Sequence, residues 1–392
     1  MFPHFVRRFS SISLIAVFLF GGLSFPAYGL EMGSIFENMK TDDDKRWFKI
    51  GLGLRTSYAV TENGADDSGT AKGMSLDNMR LYTLAKVTKD IVVEFNTELT
   101  TGNTANSQNA DQAMRVLDAI VKVALPGDFT LWAGRFLPPS DRFNLDGPYF
   151  LNAYNFPMVQ AYPALENGRD DGFAIMKEYG GGRFKWSYGM FEGRTSKTNG
   201  DDNPDQSDNS LHAFRATYNF WDPEPGYYTT SSYYGGKDVL AVAFVYHSEQ
   251  EGAGNSTTSP GDFTGWNVDA LMEKKLSNGG VVNLEGAYFE YDTDDKEDSS
   301  LTQGEAYLVL ASYLLPDPVG VGKLQPYARY QHFSRDGINR SAARGNRSVI
   351  EGGMNYIISG ANAKICAFYS GNKVGNGSTT DSFNIGMQFQ LM

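Results

Sequence analysis

The sequence predicts an all-β fold, a sixteen-stranded antiparallel transmembrane β-barrel with an inward-folded third loop. Three observations predict it: apolar and polar residues alternate with a period of two, about sixteen segments show that pattern, and long connections alternate with short ones. Several segments run about ten to twelve residues, the length that a tilted strand needs to cross a bilayer. A soluble β-sandwich is the alternative, but the even strand number and the alternating loop lengths favour the barrel.

The first strand shows the alternation most clearly. Its apolar row is Phe48, Ile50, Leu52 and Leu54, and its polar or small row is Lys49, Gly51, Gly53 and Arg55. In a closed barrel the apolar row faces lipid and the other row faces the interior. A sixteen-stranded interior is too wide for side chains of the wall to fill, so we expect a water-filled lumen.

The other strands follow in order along the chain. The sixteen strands are expected to begin near residues 47, 75, 91, 114, 129, 171, 183, 211, 238, 264, 281, 305, 323, 348, 361 and 381. Short turns such as Lys89-Asp90 join the strands at one end, the periplasmic end of an outer-membrane barrel, and long polar loops join them at the other end. The connection 221–237 breaks this rule, because it is long but falls at the end of the short turns.

The longest connection, 137–170, follows the fifth strand and is rich in aromatic residues such as Tyr149, Phe150 and Tyr154. On the surface it would expose a large apolar patch to water. We therefore expect it to fold into the barrel and narrow the lumen. An extracellular flap or a contact between the subunits of a trimer is the alternative.

The N-terminus has the pattern of an export signal. Two arginines precede the apolar stretch 12–23, and small residues then provide a cleavage site at Gly29. The stretch is too short for a membrane anchor, which is the alternative. The expected organisation is a signal peptide at 1–29, a periplasmic N-terminal segment at 30–46 and a β-barrel domain at 47–392.

Composition excludes several classes of function. The chain has 34 Lys and Arg against 46 Asp and Glu, a net charge of -12, which disfavours nucleic-acid binding. Its one cysteine, Cys366, excludes a disulfide framework. Beyond the signal peptide the only histidines are His212, His247 and His332, on different predicted strands and without metal-ligand spacing. The sequence therefore predicts no enzyme, no cofactor and no metal site.

Several short motifs are distributed over most of the chain. They are the segment from Asp118 through Gly134-Arg135-Phe136, Asp171-Gly172-Phe173, Tyr188 to Gly193, Gly353-Met354-Asn355-Tyr356 and Asn362-Ala363-Lys364. Together they resemble the phosphate-selective porin O and P family of Gram-negative outer membranes. The resemblance implies a trimeric sixteen-stranded porin whose third loop forms the constriction, with phosphate selected by ladders of Arg and Lys along the pore.

The charges expected in the lumen depart from such a ladder. The positive ones are Lys49, Arg55, Arg80, Lys86, Lys122, Lys185, Arg215, Arg329 and Lys364, and the negative ones are Glu94, Glu98, Asp118, Asp269, Glu273, Glu285, Glu305 and Glu351. The candidates for pore lining and constriction are Lys49, Arg55, Arg80, Lys86, Lys122, Arg135, Asp141, Arg142 and Asp146. A basic wall facing an acidic third loop would create a transverse field that orients polar solutes. Ordinary solvated charges are the alternative.

The sequence thus predicts a porin of the Gram-negative outer membrane, a homotrimer that passes small hydrophilic or anionic solutes by passive diffusion, with phosphate among the candidates. Its partners would be membrane lipid and lipopolysaccharide, which acidic outer loops such as 201–208 would contact through divalent cations. The alternative function is a barrel scaffold or conduit that docks a periplasmic partner protein, and the long connection 221–237 motivates it.

Overall fold

The computed structural model describes residues 46–62, 69–100, 113–162, 168–193, 209–255, 259–296, 303–336 and 346–391. The expected signal peptide and residues 30–45 lie outside the described residues, and so does the acidic run 201–208.

The described chain forms seventeen strands and one helix. In order they are β1 (Trp47–Glu62), β2 (Thr70–Thr88), β3 (Ile91–Thr100), β4 (Ala113–Leu125), β5 (Phe129–Phe136), α1 (Arg142–Phe150), β6 (Asp170–Tyr179), β7 (Phe184–Phe191), β8 (Leu211–Asn219), β9 (Val239–Asn255), β10 (Ser259–Lys275), β11 (Val281–Asp292), β12 (Gly304–Leu314), β13 (Pro318–Val319), β14 (Gly322–Arg335), β15 (Arg347–Ser359), β16 (Ala363–Val374) and β17 (Thr379–Leu391). β13 is a two-residue ladder in the turn before β14, so sixteen long strands build the wall.

The wall is a closed antiparallel barrel. Each long strand pairs with its neighbours along the chain, and β12 pairs directly with β14. The barrel closes where residues 52–61 of β1 pair with residues 382–391 of β17. The predicted fold is confirmed, and the largest differences in strand start are at β2, which begins at Thr70, and at β10, which begins at Ser259.

Apolar side chains cover the outer face, as the alternation predicts. Phe48, Ile50 and Leu52 of β1 are 67%, 61% and 56% exposed, and Leu391 of β17 beside them is 67% exposed. An exposed apolar belt is stable against lipid and unstable against water. Within the described ranges, no helix is long and apolar enough to span a membrane.

The main cluster of buried apolar residues lies inside the barrel. It joins wall residues such as Leu308 and Leu310 of β12 to residues of the third loop such as Phe143 and Leu151. The inward row of β12 is therefore apolar, and Glu305, expected in the lumen, lies on the outward row instead. Alternation identifies the two faces of a strand but cannot tell which faces inward when both rows are apolar.

We call the end of the barrel at Glu62 and Thr70 the loop end, and the opposite end, at Thr88 and Ile91, the turn end.

Candidate functional site: a lumen entered from both ends

Residues 137–169 are here called loop 3. Their described part, 137–162 with 168–169, leaves β5 at the loop end and turns into the barrel. Asp141 caps α1 by accepting hydrogen bonds from the backbone N–H groups of Phe143 and Asn144, at 3.0 and 3.2 Å. α1 is interrupted at Gly147, whose φ of 60° lies in the left-handed region that favours glycine. The inward fold expected for this loop is present.

Loop 3 is hydrogen-bonded to strands around the barrel. Its contacts join Ser140 O to Arg215 on β8 (2.9 Å), Arg142 N to Asp269 on β10 (3.2 Å), Asn152 Nδ2 to Ser312 on β12 (2.8 Å), Asn155 O to Arg329 on β14 (2.8 Å), Leu151 O to Lys364 on β16 (2.6 Å), Tyr149 O to Gln388 on β17 (2.7 Å) and Tyr154 Oη to Thr56 O on β1 (3.1 Å). Many of the polar side chains that line the wall thus bind the backbone of loop 3, which fixes the loop across the interior.

Residues 220–238, here called the turn-end segment, enter the interior from the opposite end. The N–H of Asp222 donates to Asp238 O at 2.9 Å, and the N–H of Asp238 donates to Asp222 Oδ2 at 2.9 Å, so the segment has a closed neck. Beyond the neck, Thr229, Ser231 and Ser232 are 2%, 0% and 5% exposed. The length of this connection, unexplained by the sequence, is the length needed to reach the middle of the barrel and return.

The polar contacts of the turn-end segment with the wall lie mainly on β6, β7, β10 and β11. Glu273 of β10 accepts hydrogen bonds from Ser232 Oγ at 2.9 Å and from the backbone N–H of Gly235 at 2.8 Å. Lys185 Nζ of β7 donates to Gly226 O at 2.7 Å. The ring of Tyr227 packs against Trp132 of β5, with 4.5 Å between ring centroids.

The two inserted elements meet at a buried ion pair. Arg142 of loop 3 donates to both carboxylate oxygens of Glu224, at 2.9 and 2.6 Å, and the two side chains are 0% and 1% exposed. Arg142 Nη1 also donates to Thr230 O at 2.9 Å. Such a bidentate pair is directional and holds both charges in place.

A second contact joins the two elements beside this pair. Thr229 Oγ1 and Ser231 Oγ each donate to Asp146 of α1 at 2.6 Å. Burial raises the pKa of Asp146 well above its usual value, although Arg142 and the two hydroxyls oppose the shift. Burial also acts to raise the pKa of Glu224, but the Arg142 guanidinium outweighs it and holds that pKa at about 2. Glu224 is therefore anionic and Arg142 has its counterion.

The N-cap carboxylate of loop 3 lies close to a second acid. Burial and then the neighbouring Asp269 carboxylate raise the pKa of Asp141 to about 6, while Gln160, the N–H of Asn144 and Arg215 oppose the shift. Asp269 itself is bound by Arg215 of β8, with 3.0 Å between Nη2 and Oδ1.

Charges of opposite sign alternate on the inner face of β2, β3 and β4. Arg80 pairs with Glu98 at 3.2 Å, and Lys122 pairs with Glu94. Asp118 on β4 pairs with Arg169 of loop 3 at 3.2 Å. The basic residues expected to face an acidic loop are thus compensated mainly by acids of the adjacent strand, because neighbouring strands bring side chains of one row within reach of each other.

A cavity of about 70 Å³ separates this charged face from the inserted elements. Tyr82 and Asn96 of the wall, Tyr149 of loop 3 and Tyr228 of the turn-end segment are among the residues that line it. It has room for a few water molecules. The charged face of β2 to β4 and this cavity are the candidate path through the barrel.

The predicted site residues fall into two groups. Seven are buried inside the barrel: Arg55, Arg80, Lys86, Lys122, Asp141, Arg142 and Asp146. Lys49 shares the inward row of β1 but is exposed at the turn end. Arg135 lies on the outward row, where it pairs with Asp171 at 2.6 Å, because the inward row of β5 is the one that holds Trp132 and Phe136. Arg135 is therefore not brought to the constriction.

The wall is covered from within on every long strand. Inward residues at most 7% exposed occur in order from β1 to β17 (β13 excepted): Arg55, Arg80, Glu94, Lys122, Trp132, Ala174, Lys185, Arg215, Val245, Asp269, Asn283, Leu310, Arg329, Asn355, Lys364 and Gln388. We expected a wide water-filled lumen, but loop 3 and the turn-end segment fill it at this height. Side chains of the wall alone would not fill it; two inserted pieces of chain do.

Sequence reasoning missed Glu224 and the hydroxyls of the turn-end segment. A signal was present, because this connection has two adjacent aromatic residues, Tyr227 and Tyr228, on what would otherwise be an exposed turn. The argument that predicted an inward loop 3, exposure of a large apolar patch, applies equally to it.

Comparison with known proteins supports the fold. No protein-family model matches the chain. An uncharacterized protein of Aquifex aeolicus (strain VF5) is 26% identical over 196 residues, so the match covers 47% of this chain and less than half, 44%, of that relative.

Solved structures with this architecture are outer-membrane proteins. They include OmpT, an outer membrane protein of Vibrio cholerae, in a mutant without its loop L8 (TM-score 0.54, 14% identity, 89% of this chain and 100% of that chain) and an anion-selective porin from Comamonas acidovorans (0.56, 13%, 88% and 100%). Salmonella typhi OmpF in complex with daunomycin is similar to the same degree (0.56, 14%, 88% and 97%). The chain has the sixteen-stranded fold of bacterial outer-membrane porins, and with its apolar outer belt it is a protein of the Gram-negative outer membrane.

Proposed function

We propose that the chain is an outer-membrane channel through which small hydrophilic solutes diffuse passively. The observation that carries this proposal is a closed barrel of sixteen strands with an apolar outside and a charged, hydrogen-bonding inside. Charged side chains at membrane depth are costly even when they are paired, and they commonly mark the path of polar solutes or water. We propose passive diffusion alone, with no enzymatic step.

The solute is proposed to be small and either neutral or anionic. Arg80 and Lys122 on the candidate path are each paired with a carboxylate, so this part of the path is not a ladder of uncompensated cations. Phosphate, the solute that the family resemblance implies, remains the specific candidate to test. The relative described as an anion-selective porin has the same fold, which supports the anionic option.

The channel is proposed to be a homotrimer that contacts membrane lipid and lipopolysaccharide. One structural neighbour, Vibrio cholerae OmpT folded in vitro, is described in a trimer form at a TM-score of 0.53 and 15% identity. Chemical cross-linking of the purified protein in detergent checks this, since a ladder that stops at three subunits is expected.

The test of the function is the conductance of the purified protein in planar bilayers under a KCl gradient, with phosphate then added. Discrete current steps with weak ion selectivity are expected. Strong anion selectivity with block of the chloride current by phosphate would identify a phosphate channel. Complete absence of current steps over a range of voltages would contradict the channel function.

The scaffold alternative loses its main motivation. The turn-end segment folds into the barrel. Of its own residues, only Phe220 and Trp221 at its base, 54% and 37% exposed, are large exposed hydrophobic residues. Capture of a periplasmic protein by a chain that opens no channels would favour the scaffold.

A further inference from the structure

We propose that the turn-end segment is a gate, that the structure is the closed state of the channel, and that the channel opens when this segment withdraws towards the turn end while loop 3 stays in place. The inference rests on the proposed channel function and deepens it, because it names the element that controls passage.

The first support is the coverage of the wall. Every long strand has an inward side chain at most 7% exposed, so no side of the barrel borders an open passage at that height. The cavity of about 70 Å³ along β2 to β4 is far smaller than the pockets of roughly 300–1,000 Å³ that hold small organic molecules. A larger cavity of about 310 Å³, lined by Asn155, Arg329 and Glu351 among others, lies on the other side of the barrel, where the inward side chains of Arg329 and Glu351 are buried as well. A channel with this interior must move part of its filling to pass a solute.

The second support is the difference in attachment. Loop 3 is hydrogen-bonded to at least seven separate strands, from β1 to β17. The described polar wall contacts of the turn-end segment involve mainly Glu273 on β10, Asn283 and Glu285 on β11, and Lys185 and Glu178 near the turn end. Further bonds at its base join Phe220 N to Leu240 O and Lys275 N to Asp238. Others join it to Arg142, Asp146 and Leu137 of loop 3. The segment that can leave at the lower cost is therefore the turn-end segment.

The third support is its geometry. Both ends of the segment emerge at the turn end, and the backbone bond between Asp222 and Asp238 closes its neck. It can therefore swing out as one piece without crossing the wall or breaking the barrel ladder. Loop 3, in contrast, spans the interior.

The fourth support is the chemistry of the contact. Thr229 and Ser231 are held by hydroxyl bonds to Asp146, and Glu224 is held by Arg142. Polar bonds of this kind are replaced by water when the two surfaces part, whereas apolar contacts are not. The apolar contacts that hold the segment are the packing of Tyr227 and Tyr228 against Trp132 and Phe136. Tyr233 and Tyr234 also pack against small buried clusters of the wall, which include Leu271 and Val281. The ion pair between Arg142 and Glu224 is thus the contact that must break before the segment withdraws.

The test compares two carboxyl-to-amide variants in the full-length protein. Glu224→Gln removes the buried partner of Arg142, and Asp171→Asn removes the partner of Arg135, a pair with the same bidentate geometry on the outer face. We expect Glu224→Gln to raise the open fraction of single channels at least about tenfold, because the buried guanidinium loses its bidentate carboxylate and keeps only Asp269, 3.9 Å away, which favours the separated state. We expect Asp171→Asn to leave the open fraction unchanged.

A thiol reporter identifies which element moves. Cys366, the only cysteine of the chain, is buried on β16 in the cluster that includes Tyr154 of loop 3. Under the gate proposal, Cys366 reacts slowly with a maleimide in both Glu224→Gln and wild type. In a Cys366→Ala background, a cysteine introduced by Ser231→Cys reacts faster when Glu224→Gln is also present.

Three results decide the matter. Equal open fractions in wild type, Glu224→Gln and Asp171→Asn overturn the gate but leave the channel function standing. Rapid labelling of Cys366 in the open state overturns it in favour of movement of loop 3. A variant in which residues 225–236 are replaced by a short Gly-Ser turn is the last check: if it folds, as judged by heat-modifiable migration on gels, and still passes no current, the channel function fails and the gate fails with it.

Discussion

Loop 3 and the turn-end segment enter the same barrel from opposite ends, but they are held in different ways. Loop 3 takes hydrogen bonds from side chains such as Arg215, Arg329 and Gln388, which come from strands on different sides of the wall. The turn-end segment is held chiefly through loop 3 and through a small part of the wall near Glu273. An inserted element that is bonded to many strands is fixed to the wall, whereas one that is bonded to fewer strands can move as a unit.

The largest expected effect is that of removing Arg142, the loop 3 residue that binds Glu224 and Thr230 of the turn-end segment. Arg142→Ala leaves Glu224 buried without its cation, so we expect a loss of about 3–5 kcal/mol in the stability of the filled interior. The measurement is thermal unfolding in detergent, read by circular dichroism and by gel migration. Arg135→Ala on the outer face is the control, with an expected loss of about 0–1 kcal/mol because that pair is partly exposed. Equal losses in the two variants would mean that the junction does not couple the two elements.

The next effect concerns the path beside the inserted elements. Replacing both Glu94 and Glu98 by Gln removes the carboxylates that pair with Lys122 and Arg80 and makes the face of β2 to β4 more positive. If solutes pass along this face, the reversal potential under a KCl gradient shifts towards anions, and severalfold selectivity is expected. The pair Glu285→Gln and Glu351→Gln, on strands away from this face, is the control. A shift caused only by the control pair would place the path on the other side of the barrel.

A smaller effect is expected from pH, through Asp141. Its pKa is raised to about 6 in the folded chain from an ordinary value near 3.8, so seated loop 3 binds a proton that the free loop does not. The seating of loop 3 therefore weakens as pH rises from about 4 to about 6, so the filled interior should be more stable to thermal unfolding in detergent at pH 5 than at pH 8, by about 1.4 kcal/mol. Asp269 and Arg215 face Asp141, and Glu224, whose pKa is about 2, does not titrate in this range.

Asp141→Asn tests that assignment. The amide keeps an oxygen to accept the N–H groups of Phe143 and Asn144 but cannot ionise. We expect the difference in thermal stability between pH 5 and pH 8 to be lost in this variant. A pH response as steep as that of wild type would show that another group is responsible.

The smallest expected effect on the open fraction comes from removing a single tyrosine hydroxyl from the turn-end segment or from loop 3. Tyr227→Phe removes the bond from Tyr227 Oη to Leu137 O at 2.7 Å, one of few contacts that hold the turn-end segment. About 1 kcal/mol is expected, which corresponds to roughly a fivefold rise in open fraction. Tyr154→Phe removes bonds to Thr56 O and Asp77 from loop 3, which has many other anchors, so its open fraction should stay near that of wild type. A larger rise in the open fraction of Tyr154→Phe than of Tyr227→Phe would show that loop 3, and not the turn-end segment, is the more weakly held element.

The barrel could be read from the sequence because its rules are local. Alternation along β1 is set by the two-residue period of a strand, and the length of a segment is set by the thickness of a bilayer. Thus the sixteen strands, the outward Phe48 and Ile50, and the inward fold of loop 3 were all predictable. Where both rows of a strand are apolar, as in β12, the same rule could not tell inside from outside, and Glu305 was placed wrongly.

The filling of the barrel was decided by tertiary structure alone. Residues 82 positions apart form the pair between Arg142 and Glu224, and their approach depends on how far each element reaches across a lumen whose width the closed sheet sets. No local pattern encodes that distance, because a side chain on a connecting segment has no fixed period to assign it a face. The sequence by itself therefore determined a membrane barrel with a charged interior, and the closure of that barrel brought together the two segments that fill it.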